Sequence, residues 1–183
     1  NLRLGTISSG WGGTASISLW SWELELRGTG TVLVFNPIWL TFNAWTSMIR
    51  LTNNSGVAKT FSGNWHTYYN YWNNTLWAWV CNIAQSNTFN VIKIDAWRDQ
   101  RFQTILATNM VNLDAIWTWV NPIFINSTSP GNQAIISKIW WGTIQVEYCT
   151  IADSQAAQTL TRYANNSTDG WNNTNWIFWP APA

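Results

Sequence analysis

The chain has 183 residues, 17 of them tryptophan, and nine Lys and Arg against eight Asp and Glu leave a net charge of +1. A chain of this length makes one domain; the missing basic face excludes phosphate-backbone binding, the apolar content excludes disorder, and no apolar run is long enough for a helical membrane span. With charge at only 9%, solubility rests on Asn, Thr, Ser and Gln, which suits an extracellular, cell-surface or virion protein, or a subunit covered by its neighbours.

Taken in order, the chain reads as short strands. In residues 16–27, Trp20, Trp22, Leu24 and Leu26 share one face, and Ser21, Glu23, Glu25 and Arg27 the other, the period of two of a half-buried strand. Gly28-Thr29-Gly30 makes a turn. Residues 31–35 form a strand stopped by Asn36-Pro37, and 39–42 and 47–52 continue the pattern. Asn53-Asn54-Ser55-Gly56 has the composition of a hairpin turn. Strands at 57–61, 65–71, 76–83 and 89–97 follow, with Asn73-Asn74 between the second and third. Shorter ones are expected at 102–108, 115–119 and 122–125. After the turn Ser129-Pro130-Gly131-Asn132 come 135–139 and 143–149.

One helix is expected at 154–162. Asp153 can accept from the first-turn N–H groups, and Ala156, Ala157 and Leu160 share a helical face. Residues 1–164 form the body. Residues 165–183 read as an extended tail packed on it, since Trp171, Trp176, Ile177, Phe178 and Trp179 are too apolar to stand in water. No repeat of fixed period is visible. Many short strands with frequent turns and no strand–helix alternation point to an all-β, antiparallel sandwich. The chain begins without Met and shows no signal peptide, as expected of a processed product or a fragment.

Four segments resemble the laminin-G-like, concanavalin A-like lectin superfamily, in that family's order. Ala15-Ser16-Ile17-Ser18-Leu19-Trp20 is similar to its opening strand, and Trp65-His66-Thr67-Tyr68-Tyr69 to a Trp-x-His strand. Val91-Ile92-Lys93-Ile94-Asp95-Ala96 is similar to a strand ending in Asp-Gly. Trp141-Gly142-Thr143-Ile144-Gln145-Val146-Glu147-Tyr148 with Ala152–Leu160 is similar to the late strand and capped helix. The resemblance implies an antiparallel jelly-roll β-sandwich and a non-enzymatic adhesion or glycan-binding function. Three features depart from the pattern, one being the absence of the basic residue usual in the late strand. Ala96 stands where the family has Gly, and Trp119, Trp140 and Trp141 stand where small or polar residues are expected.

Candidate chemistry is sparse. Trp72, Trp77 and Trp79 lie near Asn70, Asn73 and Asn74; aromatic rings stack on sugar faces and amides bond hydroxyls. Trp72, Asn73, Asn74, Asp95 and Trp97 are the candidate glycan contacts. Glu23 and Glu25 share a strand face, and paired carboxylates are what glycoside hydrolases use; a hydrolase or lyase is therefore one alternative. The other is a structural subunit of a filament, fibre or capsid, motivated by apolar excess with little charge. His66 has no recognisable nucleophile partner. Asp95, Asp99 and Asp114 are candidate calcium ligands by their oxygen chemistry. Cys81 and Cys149 are two free thiols or one disulfide. Asn-x-Ser/Thr triplets occur at Asn53, Asn73, Asn126, Asn165, Asn166 and Asn172, with Asn126 the leading acceptor candidate. The expected partners are carbohydrate or other protein subunits in a larger assembly, without nucleic acid or a membrane span.

Overall fold

A computed structural model describes residues 2–4, 15–18, 23–27, 40–43, 46–52, 58–63, 65–75, 80–117, 120, 122–139, 144–157 and 162–179. The strands are β1 (Leu2–Leu4), β2 (Ala15–Ser18), β3 (Glu23–Arg27), β4 (Leu40–Asn43), β5 (Met48–Thr52) and β6 (Lys59–Ser62). Then come β7 (Thr67–Asn73), β8 (Val80–Ala84), β9 (Thr88–Ile94), β10 (Asp99–Phe102), β11 (Ala107–Ile116) and β12 (Ile123–Ser127). The last are β13 (Ala134–Lys138), β14 (Ile144–Glu147), β15 (Cys149–Ile151), β16 (Ser154–Ala156), β17 (Arg162–Asn165), β18 (Thr168–Asp169) and β19 (Trp176–Trp179).

Every pairing between these strands is parallel. They form sheets of eleven, six and two strands. Parallel neighbours need a long connection between them. Here the connection is the rest of one turn around a coil. The molecule is a parallel β-solenoid, not an antiparallel jelly roll, and the laminin-G-like and concanavalin A-like reading is corrected with it. The wet–dry alternation that suggested a sandwich is real: β5 and β8 alternate half-buried and buried residues, and β12 does so in the opposite phase. Period two says only that a strand has one dry face. It carries no information on the direction of its neighbour.

The pairings define three faces. The six-stranded sheet, β6, β8, β10, β12, β15 and β18, is one of them, termed here the third face. The eleven-stranded sheet makes the other two. In its middle rungs a single strand covers both faces by bending where two successive residues escape burial: Tyr69 and Asn70, Asn90 and Val91, Val111 and Asn112. Above β11 the bend becomes a break. The start of β11 pairs with β13 and then β16 on the first face. Its end pairs with β14, β17 and β19 on the second.

Inward side chains stack in columns along the axis. Tyr71, Ile92, Leu113 and Ile144 lie in one register; Phe61, Ile83, Phe102 and Ser127 lie in another. Phe61, Tyr68, Tyr71 and Phe89 pack ring to ring at centroid distances of 5.1–6.1 Å. Burying each such ring stabilises the fold by roughly 1.5–3 kcal/mol. A buried polar cluster interrupts this core. The Gln100 Oε1 accepts from the Tyr71 hydroxyl and from Asn73 Nδ2, both at 3.1 Å, and Gln100 Nε2 donates to the Cys81 carbonyl at 3.0 Å. Thr75 Oγ1 donates to Asn73 Oδ1 at 3.1 Å. Burial raises the Tyr71 hydroxyl well above the usual tyrosine range, so it stays a donor.

One further expectation changes. The helix at 154–162 is absent over its described part: Ser154–Ala156 is β16, paired with Ala134–Ile136, and residues 158–161 lie outside the described residues. Asp153 turns a corner instead of capping a helix. Its φ is 51° and its carboxylate accepts from Gly131 N–H and Asn172 Nδ2. The chain does repeat, once per rung. The repeat is hidden because rung lengths differ: Lys59 pairs with Cys81, Cys81 with Gln100, Gln100 with Ile125, and Ile125 with Ile151. The expected body–tail boundary at 164/165 falls inside β17, and β17, β18 and β19 add rungs of their own.

Replacing Gln100 by Leu removes the acceptor shared by two buried donors. Urea unfolding of Gln100→Leu is expected to show a loss of about 2–4 kcal/mol, against less than about 1.5 kcal/mol for Tyr71→Phe. Equal losses would mean the cluster is not organised around Gln100.

Candidate functional site: the solenoid corner at Asp95–Arg98

A three-faced rung must turn sharply at its corners, and the backbone does so through residues with positive φ. Between the third and first faces these are Trp65, Gln85, Ile105, Gly131, Asp153, Trp171 and Asn172. Between the second and third faces they are Trp97, Tyr148 and Asn166. Glycine reaches this conformation freely; for a side chain with Cβ it costs roughly 1–2 kcal/mol. Trp65, Trp97 and Trp171, with φ of 61°, 60° and 112°, are therefore strained, and all three are exposed. Their burial does not compensate the strain.

The five candidate glycan contacts divide among three environments. Asn73 points into the core, wholly buried, with its amide on Gln100. Trp72 is half-buried on the outer second face, in one row with Arg50, Lys93 and Asp114. The Arg50 guanidinium lies 5.5 Å and the Lys93 ammonium 5.1 Å from its ring centroid, so cations already use its π surface. Asn74 and Asp95 do meet, at the corner between the second and third faces. Asn74 Nδ2 donates to Asp95 Oδ2 at 2.5 Å across adjacent rungs, and the Asp95 N–H donates to the Asn73 carbonyl. Trp97, 46% exposed, follows two residues later.

The next rung adds residues that the sequence did not single out. Trp117 is 44% exposed and Val120 is also exposed, just past the end of β11. In the sequence Trp117 reads as one aromatic within a short strand, a signal that core residues share, and Val120 carries no signal at all. Trp77 and Trp79 lie outside the described residues.

The acids do not converge. Glu23 Oε1 pairs with Arg50 Nη2 at 2.6 Å, and Glu25 is described only by its place in β3, opposite Arg50. Asp99 sits on the outer third face, held by Arg101 at 2.8 Å and by Asn126 Nδ2 at 2.9 Å. Asp114 lies on the outer second face, in register with Lys93. Asp95, Asp99 and Asp114 thus occupy different surfaces, and no cluster of three or more His, Cys, Asp or Glu suited to a metal occurs among the described residues. His66 is half-buried, edge-on to Tyr68. No helix among the described residues is long and apolar enough to cross a membrane.

Cys81 and Cys149 are both free and buried. They belong to β8 and β15 of one sheet, with β10 and β12 between them. Three strand spacings of about 4.8 Å far exceed the reach of a disulfide. Burial pushes the Cys149 thiol up to about 12, and its S–H donates to the Ala115 carbonyl.

No protein-family model, curated protein or solved structure matches this chain.

The thiol environment yields a direct expectation. At pH 8, Cys149 is protonated and shielded, so Ellman's reagent should leave it unmodified in the folded chain and react once the chain is unfolded. Rapid labelling of Cys149 under native conditions would contradict the burial described.

Proposed function

We propose that this chain is a non-catalytic glycan-binding module displayed outside the cell or on a virion, with its contact surface along the corner at Asn74, Asp95, Trp97 and Trp117. The observation that carries this reading is Trp97. It is a large apolar ring held in a strained backbone conformation and turned toward water, at a cost of roughly 1–2 kcal/mol. Strain of this kind, where packing does not compensate it, is characteristic of ligand-contacting positions. The neighbouring amide–carboxylate pair supplies donors and acceptors already fixed by the rung ladder. An exposed ring beside such a pair suits the two sides of a sugar, the apolar C–H face and the hydroxyl edge. The solenoid stacks its corners about every 4.8 Å along the axis, so a ligand on this edge meets successive rungs, which favours an extended polymer over a single sugar. Sparse charge favours a neutral one.

A second reading, a subunit of a filament, fibre or capsid, is supported by a different observation. Tyr163, Ile177 and Trp179 are exposed on the outer second face near the last strand, an apolar surface of the kind that meets other chains.

Pull-down on insoluble cellulose and chitin, with a printed glycan array, tests the first reading against the second. Trp97→Gly should weaken binding about threefold or more while raising unfolding stability by about 1 kcal/mol. Opposite signs for binding and stability are the signature of a residue kept for contact. Absence of binding to every glycan, with concentration-dependent association by sedimentation, would replace the module with the subunit.

A further inference from the structure

Six asparagines lie in Asn-x-Ser/Thr triplets, and the fold separates them. Asn53 is outside the described residues. Asn73 is wholly buried, its amide bonded to Gln100. The Asn126 amide donates to Asp99 in mid-strand, the Asn166 amide to Glu147 at 2.8 Å and the Asn172 amide to Asp153 at 2.7 Å. A glycan on any of these would take one of the two amide hydrogens and set a sugar beside the acceptor, competing with a side-chain hydrogen bond on which a corner, a sheet face or the core depends.

Asn165 differs. It ends β17 with an exposed side chain, and its amide is bonded to no other group among the described residues. The hydroxyl of its triplet is also fixed. Ser167 Oγ donates to the Asn165 carbonyl at 2.8 Å and accepts from the Cys149 N–H at 3.0 Å. Asn166 between them takes a φ of 49°, so the triplet is a sharp turn at the corner. Beside it stands an aromatic platform. Tyr163, two residues earlier, points to the same side of the strand, and Trp179 is the register partner of Asn165. The Tyr163 and Trp179 rings lie 6.4 Å apart with 42° between planes, and are 52% and 55% exposed.

We infer that Asn165 is an N-glycan acceptor whose first sugar packs against Tyr163 and Trp179. This rests on the extracellular placement proposed above and not on the glycan-binding corner. The donor is a lipid-pyrophosphoryl oligosaccharide. The Asn165 carboxamide nitrogen forms the bond to the anomeric carbon, the anomeric C–O bond to pyrophosphate breaks, and one amide proton leaves with the lipid pyrophosphate. The attached sugar covers apolar ring surface that is otherwise wet.

The full chain secreted from cultured mammalian cells tests this by glycopeptide mass spectrometry. The expected result is occupancy at Asn165, abolished by Asn165→Gln and by Ser167→Ala, and retained in Thr168→Ala, which removes only the Asn166 triplet. Tyr163→Ala should lower occupancy or reduce the stability gained from the glycan, measured as the shift in Tm between glycosylated and enzymatically deglycosylated protein. Secretion of folded chain without sugar at Asn165, or with sugar at Asn126, Asn166 or Asn172 instead, would overturn the inference. Polysaccharide pull-down of Asn165→Gln is a separate readout, so the corner site can fail or succeed independently.

Discussion

The structure depends on one constraint: each rung must place its inward side chains on those of the rung below, because the backbone ladder between them is parallel and in register. Antiparallel sheets choose their cross-strand neighbours through hairpins. A solenoid chooses them through the length of a full turn, so Phe61 meets Ile83, and Ile83 meets Phe102, only if the intervening corners add up correctly. Shape complementarity within a column is therefore a long-range property. The Gln100 cluster shows the same constraint for polar groups. Tyr71, Asn73 and Cys81 come from strands on two faces, and one buried amide satisfies groups from both.

The corners accommodate the geometry that the faces impose. The third face joins its neighbours through residues of positive φ, and this chain places Trp, Ile, Gln, Tyr, Asp, Asn and one Gly there. Asn and Asp tolerate that conformation better than most residues, and the Asp153 carboxylate also ties its corner to Gly131 and Asn172 on the neighbouring rungs. Tryptophan has no such tolerance. Strained, exposed rings at corners therefore have no account in packing, which is what favours a corner as the proposed contact surface over the Trp72 row, whose ring is already flanked by Arg50 and Lys93.

Part of the candidate site was legible in the sequence. Asn74 and Asp95, both legible as polar residues at strand ends, bond across adjacent rungs, and the exposed Trp97 stands two residues further along the chain. Asn73 was grouped with them by adjacency, but strand alternation sends it inward, opposite to Asn74's environment. Trp72 was grouped by chemistry, and its neighbours one rung away on either side, Arg50 and Lys93, are distant in sequence. Trp117 could not be read at all, since its place one rung beyond the Asp95 corner follows from the pairing of β11 with β9.

By itself the sequence determined that the chain is all-β, where most strands in the described region fall, and which side of each strand is dry, because alternation of side chains is a local property of extended backbone. It also determined the turn at Ser129–Asn132. Only the tertiary structure decided whether those turns reverse the chain or bend it by one corner, and hence whether strands run antiparallel in two sheets or parallel around a coil. That choice depends on backbone dihedrals at a few corner residues and on pairings between segments about 20 residues apart, and neither leaves a periodic trace when successive rungs differ in length.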